Sequence, residues 1–203
     1  LQLVTLHLLY EQQEVQGDQL QLTWHVEDQL AGAISFEILI PHQLLIDLNL
    51  SSKNGSVTVE DLQAAGKIMT KNGSVKVNGI TYGDLGIETK NGSITAQAGV
   101  GTFTASSKNG SVRCALEPLR DGNIKLDASN GSVQAELACE DGIGYELELQ
   151  TRNGRVNADL PDLVVATREK HYLRGTTPNW QEARVKTQVF MASRNGSVSV
   201  RPR

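Results

Sequence analysis

Aromatic side chains are scarce in this chain, at 4% of its 203 residues. A core without rings must be assembled from Val, Ile, Leu and Ala, which suits a thin, layered interior better than a globular one. Cysteine is nearly absent: Cys114 and Cys139 are too few for a disulfide framework and lack metal-ligand spacing. No run of about 18 apolar residues occurs, so no segment reads as a membrane-spanning helix. An excess of positive charge is also missing. The formal net charge of −4 gives no general reason to expect nucleic acid or an anionic membrane, and leaves room only for a local basic stripe. Because the chain opens on Leu1, it is expected to be a trimmed or mature form, and no conclusion about a leader or anchor follows. What is present is a folded composition, 39% hydrophobic and 21% charged, of a length that suits one domain.

The dominant feature is a repeat. Lys53-Asn54-Gly55-Ser56-Val57, Lys71-Asn72-Gly73-Ser74-Val75, Lys90-Asn91-Gly92-Ser93-Ile94 and Lys108-Asn109-Gly110-Ser111-Val112 are near copies. Ser129-Asn130-Gly131-Ser132-Val133, Arg152-Asn153-Gly154-Arg155-Val156 and Arg194-Asn195-Gly196-Ser197-Val198 are variants. Successive Asn residues stand 18, 19, 18, 21, 23 and 42 apart, and the last gap is twice 21.

Aligning on the Asn exposes alternating columns. Six residues before it stand Leu48, Gly66, Leu85, Phe103, Ile124, Leu147 and Val189; four before it, Leu50, Ile68, Ile87, Ala105, Leu126, Leu149 and Met191. The third position after it is always Val or Ile, and the fifth is Val59, Val77, Ala96, Cys114, Ala135, Ala158 or Val200. The intervening columns are mostly polar. Alternation with period two on both sides of a turn predicts strand, turn, strand with one buried face. Asn and Gly both tolerate left-handed backbone, so the pair reads as the turn.

Two all-β architectures share this signature: a meander of antiparallel hairpins, and a parallel β-helix-like solenoid with Asn-Gly at a corner. A coil of 18 to 21 residues traces roughly 60 Å, which suits one turn of a solenoid. The whole pentapeptide recurs, including its exposed Lys, whereas a meander needs only burial and turn type to repeat. The solenoid is the expected fold, with about seven coils of 18–23 residues. One domain is expected over 1–203: strands of an N-terminal cap over 1–46, repeat coils over 47–160, an irregular insertion or degenerate coil over 161–186, and a last coil over 187–203. The cap reading rests on alternation in Leu20-Gln21-Leu22-Thr23-Trp24-His25-Val26 and in residues 34–40. The insertion is marked by Pro161, Pro178 and the run Arg168-Glu169-Lys170-His171.

The string of (Lys/Arg)-Asn-Gly-Ser-Val units, preceded by Ile40-Pro41, resembles the bacterial putative-adhesin family, a domain of unknown function with a β-solenoid fold. The resemblance runs from about Leu20 to Val200. It implies a cell-surface or envelope setting, with some members tied to envelope-stress responses, and carries no catalytic residues. The departures are Ser129 in place of Lys, Arg155 in place of Ser, and the irregular 161–186 stretch.

Chemistry of a catalytic kind is not expected. His7, His25, His42 and His171 are scattered without metal-ligand spacing. Acidic residues such as Glu60, Asp61, Asp84, Glu88, Asp127, Glu140 and Asp141 form no aligned pair for acid–base work on a polysaccharide. No glycine-rich phosphate loop occurs. No cofactor and no metal are expected. Asn-Gly-Ser occurs six times, formally a glycan acceptor, but coils about 4.8 Å apart have no room for glycans on every turn, which favours a bacterial origin. The Ser/Thr column two before the Asn lies in buried phase and suits a structural hydroxyl ladder. Cys114 and Cys139 both have inward parity and read as small core residues.

The candidate binding feature is the column just before each Asn: Lys53, Lys71, Lys90, Lys108, then Arg152 and Arg194. Like charges stacked side by side are mildly destabilising, so their recurrence points to an anionic partner. Against that stands solvation of the turn and protection from aggregation. The expected function is a non-enzymatic adhesin-like binding or scaffolding module of the envelope or surface, outside the cytoplasm. The alternative is an envelope-stress regulatory or sensor domain. Partner classes are an anionic cell-wall polymer, an anionic lipid or an envelope protein, and not nucleic acid.

Overall fold

Alternating apolar and polar residues, interrupted only at turns, make every regular element of the described residues a β-strand. The molecule is described from a computed structural model, over residues 12–16, 19–23, 38, 40–41 and 44–203. The backbone divides into two compact units, Leu1–Pro41 and His42–Arg203. In the first, β1 (Gln12–Gln16) and β2 (Gln19–Thr23) form an antiparallel hairpin. The rest of the expected cap, including Trp24–Val26 and all of 34–40 except Ile38 and Ile40, lies outside the described residues, as do His7, His25 and His42.

The second unit begins with β3 (Leu45–Asn54), β4 (Val57–Glu60), β5 (Gln63–Asn72), β6 (Val75–Asn91), β7 (Ile94–Val100) and β8 (Phe103–Asn109). It continues with β9 (Val112–Pro118), β10 (Gly122–Asn130), β11 (Val133–Leu137), β12 (Ile143–Thr151) and β13 (Val156–Ala158). It ends with β14 (Val164–Arg168), β15 (Tyr172–Thr176), β16 (Val185–Asn195) and β17 (Val198–Pro202). Strands preceding the Asn-Gly turns pair in parallel in the order β3, β5, β6, β8, β10, β16, β12. Strands following the turns pair in parallel in the order β4, β6, β7, β9, β11, β17, β13. Parallel stacking in exact repeat register, Asn54 against Asn72 against Asn91 against Asn109, makes this a solenoid and excludes the hairpin meander.

The inward columns of both ladders meet in one apolar cluster. Phe103, Ile68, Ile87, Leu126, Leu147 and Met191 come from the first ladder; Ile94, Val112, Val133 and Val198 come from the second. The fifth-position column narrows to Ala96, Cys114 and Ala135, which keeps the two layers close. The 19-residue coil absorbs its extra residue against β7 as a bulge at Gly79, φ +70°, where the pairing of Asn78 and Ile80 shifts against Gln97 and Ala98, and against β5 between Tyr82 and Leu85.

Two features depart from chain order. The coil carrying Asn195, last in sequence, sits between the coils of Asn130 and Asn153. The stretch 161–186 adds no parallel coil to the stack: it holds an antiparallel pair, with β15 against β12 and β14 against β15. The Asn153 coil is last in the parallel stack: its β12 lies between β16 and β15, and its β13 forms an edge. It is the weaker repeat, with a three-residue β13, half-buried Val156 and Ala158, and Arg155 in place of Ser. An end position, lacking one neighbour, asks least of its sequence.

Candidate functional site

The Asn-Gly-Ser turns stack into a seam along one corner of the solenoid, and three hydrogen-bonded ladders hold it. Each Asn Nδ2 donates to the Oδ1 of the next coil's Asn: Asn72 to Asn54 at 2.7 Å, Asn91 to Asn72 at 2.7 Å, Asn109 to Asn91 at 2.8 Å and Asn130 to Asn109 at 2.8 Å. Asn195 then donates to Asn130 at 2.7 Å and Asn153 to Asn195 at 2.8 Å. The amides of Ser74, Ser93, Ser111 and Ser132 donate to the preceding coil's Ser Oγ at 3.2–3.3 Å. Beneath them the buried hydroxyls of Thr70, Thr89, Ser107, Ser193 and Thr151 donate to glycine carbonyls of neighbouring coils, at 2.7–3.1 Å. Ala128 breaks this last ladder.

The glycines are required here for a reason other than the expected one. Of the seven turn glycines only Gly55 has positive φ, at +149°, and none of the turn asparagines does. A Cβ on Gly73, Gly92 or Gly110 would instead lie 2.0 Å from the preceding turn's glycine carbonyl oxygen. Close approach of stacked coils excludes a side chain there. Sequence reasoning missed the amide ladder as well, assigning Asn to backbone tolerance. An invariant Asn in one column of a parallel repeat was the available signal.

Flanking this seam, the cations just before each Asn point outward and are exposed: Lys53, Lys71, Lys90 and Lys108 occupy four consecutive coils. Half-buried Ser129 interrupts them. Because of the order of coils, Arg194 comes next and Arg152 last, the reverse of their sequence order. Stacked strands place neighbouring cations about 5 Å apart at the backbone. Among the described residues none of these six has an ion-pair partner, whereas Lys67 pairs with Glu88 at 3.3 Å and Lys76 with Glu60 at 3.5 Å. The four lysines border a shallow groove of about 630 Å³, floored by Ser51, Met69, Glu88 and Ser106. The groove offers ammonium groups, hydroxyls and one carboxylate already engaged by Lys67.

The remaining reactive side chains lie elsewhere. Cys114 and Cys139 are both free thiols. Burial pushes the Cys114 thiol well above its ordinary pKa, which keeps it protonated. Cys139, expected inward, is exposed because the strand β11 has already ended at Leu137 and alternation no longer governs it. His171, the one described histidine, has its Nδ1 buried without a partner. Among the described residues no cluster of three or more His, Cys, Asp or Glu side chains is placed to share a metal.

A family model described as Toastrack DUF4097, a domain of unknown function, matches residues 13–201. No curated protein matches the chain in sequence. Among solved structures, that of a "putative cell adhesion protein" from Clostridium sporogenes is similar at 8% identity and a TM-score of 0.46, covering 76% of this chain and 93% of that one.

Proposed function

The chain belongs to the Toastrack DUF4097 family, and from that premise we propose that it is a non-enzymatic binding module of the cell surface or envelope, holding a repeating anion along its lysine-lined groove. The observation that carries this reading is the run Lys53, Lys71, Lys90 and Lys108, exposed, without ion-pair partners among the described residues, and spaced by the solenoid itself. Four such cations create a positive strip at contact range in a protein whose net charge is −4. An anionic cell-wall polymer can meet that strip in register, one charge per coil. Each exposed contact is worth at most about 1 kcal/mol, so the affinity comes from several acting together.

Binding is then weak, multivalent and sensitive to salt, because the screening length falls from about 10 Å at 0.1 M to about 3 Å at 1 M. The test is co-sedimentation with purified anionic cell-wall polymer, and separately with vesicles containing anionic lipid, at both salt concentrations. Replacing all four lysines with Glu is expected to weaken low-salt binding to polymer by about tenfold or more. Equal binding by the reversed variant refutes the strip as the site, and binding to vesicles alone moves the partner to a lipid surface.

A further inference from the structure

Asn-Gly is the dipeptide most prone to spontaneous loss of the side-chain amide, because glycine leaves the following nitrogen unhindered. The reaction needs two things from the fold. The Gly nitrogen must be free to attack, and the Asn side chain must swing out of whatever holds it. The seam withholds both at most turns. Gly55, Gly73, Gly92, Gly110 and Gly131 donate their N–H groups to the carbonyls of Asn72, Asn91, Asn109, Asn130 and Asn195, at 2.9–3.2 Å. Asn72, Asn91, Asn109, Asn130 and Asn195 each carry two ladder bonds, one given and one received.

Only one turn of the seam combines a singly held asparagine with a glycine nitrogen that donates to no other coil. Asn153 ends the stack, gives a single ladder bond to Asn195 and receives none from another coil. The Gly154 nitrogen has no hydrogen-bond partner among the described residues. Asn153 and its neighbours Arg152 and Arg155 are exposed, so water reaches the turn. We infer that Asn153–Gly154 is a built-in site of spontaneous deamidation, which the rest of the seam is protected against. In the reaction the Gly154 nitrogen bonds to Cγ of Asn153, the Cγ–Nδ2 bond breaks, and ammonia departs with the proton from that nitrogen. Water then opens the cyclic imide at either carbonyl, leaving aspartate or its β-linked isomer at position 153. Neither product can donate to Asn195 Oδ1, and the isomer lengthens the backbone at the turn. The turn and edge strand over 152–158 therefore loosen with age while the inner coils do not.

Two other turns separate the two protections. Asn54 has one ladder bond but a bonded glycine nitrogen; Asn195 has two ladder bonds, but Gly196 has no nitrogen partner among the described residues. The experiment incubates the native protein at mildly alkaline pH and follows the seven Asn-Gly sites of the seam by peptide mass mapping, with Asn78–Gly79 of the β6 bulge as an eighth site outside it, beside the same protein in concentrated urea. Native Asn153 is expected to convert about tenfold faster than Asn91, the factor set by one backbone hydrogen bond, with Asn54 and Asn195 between them. In urea the seven rates should converge. Native rates for Asn91 and Asn153 that agree within a factor of about two overturn the inference, as does a difference that persists in urea. The variant Asn153→Asp should lose hydrogen-exchange protection over 152–158 and keep it over 68–112; unchanged protection at 152–158 refutes the loosening.

Discussion

A glycine in a turn usually signals unusual backbone torsion, but here the stack itself excludes the side chain. Gly92 has ordinary φ and lies under its neighbour's carbonyl, while Gly55 has φ of +149° and open space on its Cβ side, with Ser52 Oγ at 3.4 Å. The two mechanisms predict opposite rankings. If close approach dominates, Gly92→Ala costs about 3 kcal/mol, the upper range of overpacking. Gly55→Ala then costs only about 1 kcal/mol of backbone strain. Urea melts of the two variants decide it, and equal costs would show that the coils separate readily enough to admit a methyl group.

Single strands at the far end of the stack show how an edge is managed. β14 is exposed along its whole length, with Val164 57% exposed, yet its pairing shifts between Val165 and Thr167 and it ends on Arg168. A bulge and a charge both discourage another strand from adding there. Inside it, β15 is tied back by Glu146 of β12, whose carboxylate accepts from Arg174 at 2.9 Å and from Gln188 of β16 at 3.1 Å. Those hydrogen bonds hold the Glu146 carboxyl below the usual carboxylate range. A group with a depressed folded pKa stabilises fully above its unfolded value, about 4.3, and the contribution disappears as pH falls through the folded value. The site is solvent-facing, so the effect is small and local. Amide exchange in β15, corrected for its intrinsic rate, should accelerate on acidification below pH of about 4 relative to β8. Glu146→Gln should flatten that difference; an unchanged pH profile in the variant means the anchor lies elsewhere.

At the scale of the whole molecule the C-terminal segment is structurally central. β16 and β17 are sandwiched between the coils of Asn130 and Asn153, across up to 65 residues of separation. Here Val198 and Val200 are buried, and removing β16 and β17 would take from the Asn153 coil the parallel partners of both β12 and β13, leaving β12 only β15. Native-state hydrogen exchange should therefore find β17 as protected as β9, and a chain ending at residue 186 should lose protection throughout β12 and β13 while retaining it in β7 to β9. Early exchange of β17 in the intact protein would contradict this order of coils.

Phase and turn position were legible in the sequence because both are local. Period two places Leu85, Ile87 and Thr89 on one side of a strand whatever that strand pairs with, and the Asn-Gly column marks where direction changes. The exposed lysine column followed from the same parity. Cys139 was misplaced where the strand, and with it the parity, had stopped. The order of the coils was not legible. Seven turns with nearly the same Asn-Gly-Ser edge are interchangeable as neighbours, so nothing local says that Asn195 stacks on Asn130 rather than on Asn153 alone. That choice belongs to the tertiary structure: the best-formed repeat is worth most where it has two neighbours, and the weakest where it has one. The role of glycine was likewise decided in three dimensions, since a carbonyl 2.0–2.2 Å from an imagined Cβ comes from a coil 18 to 21 residues away.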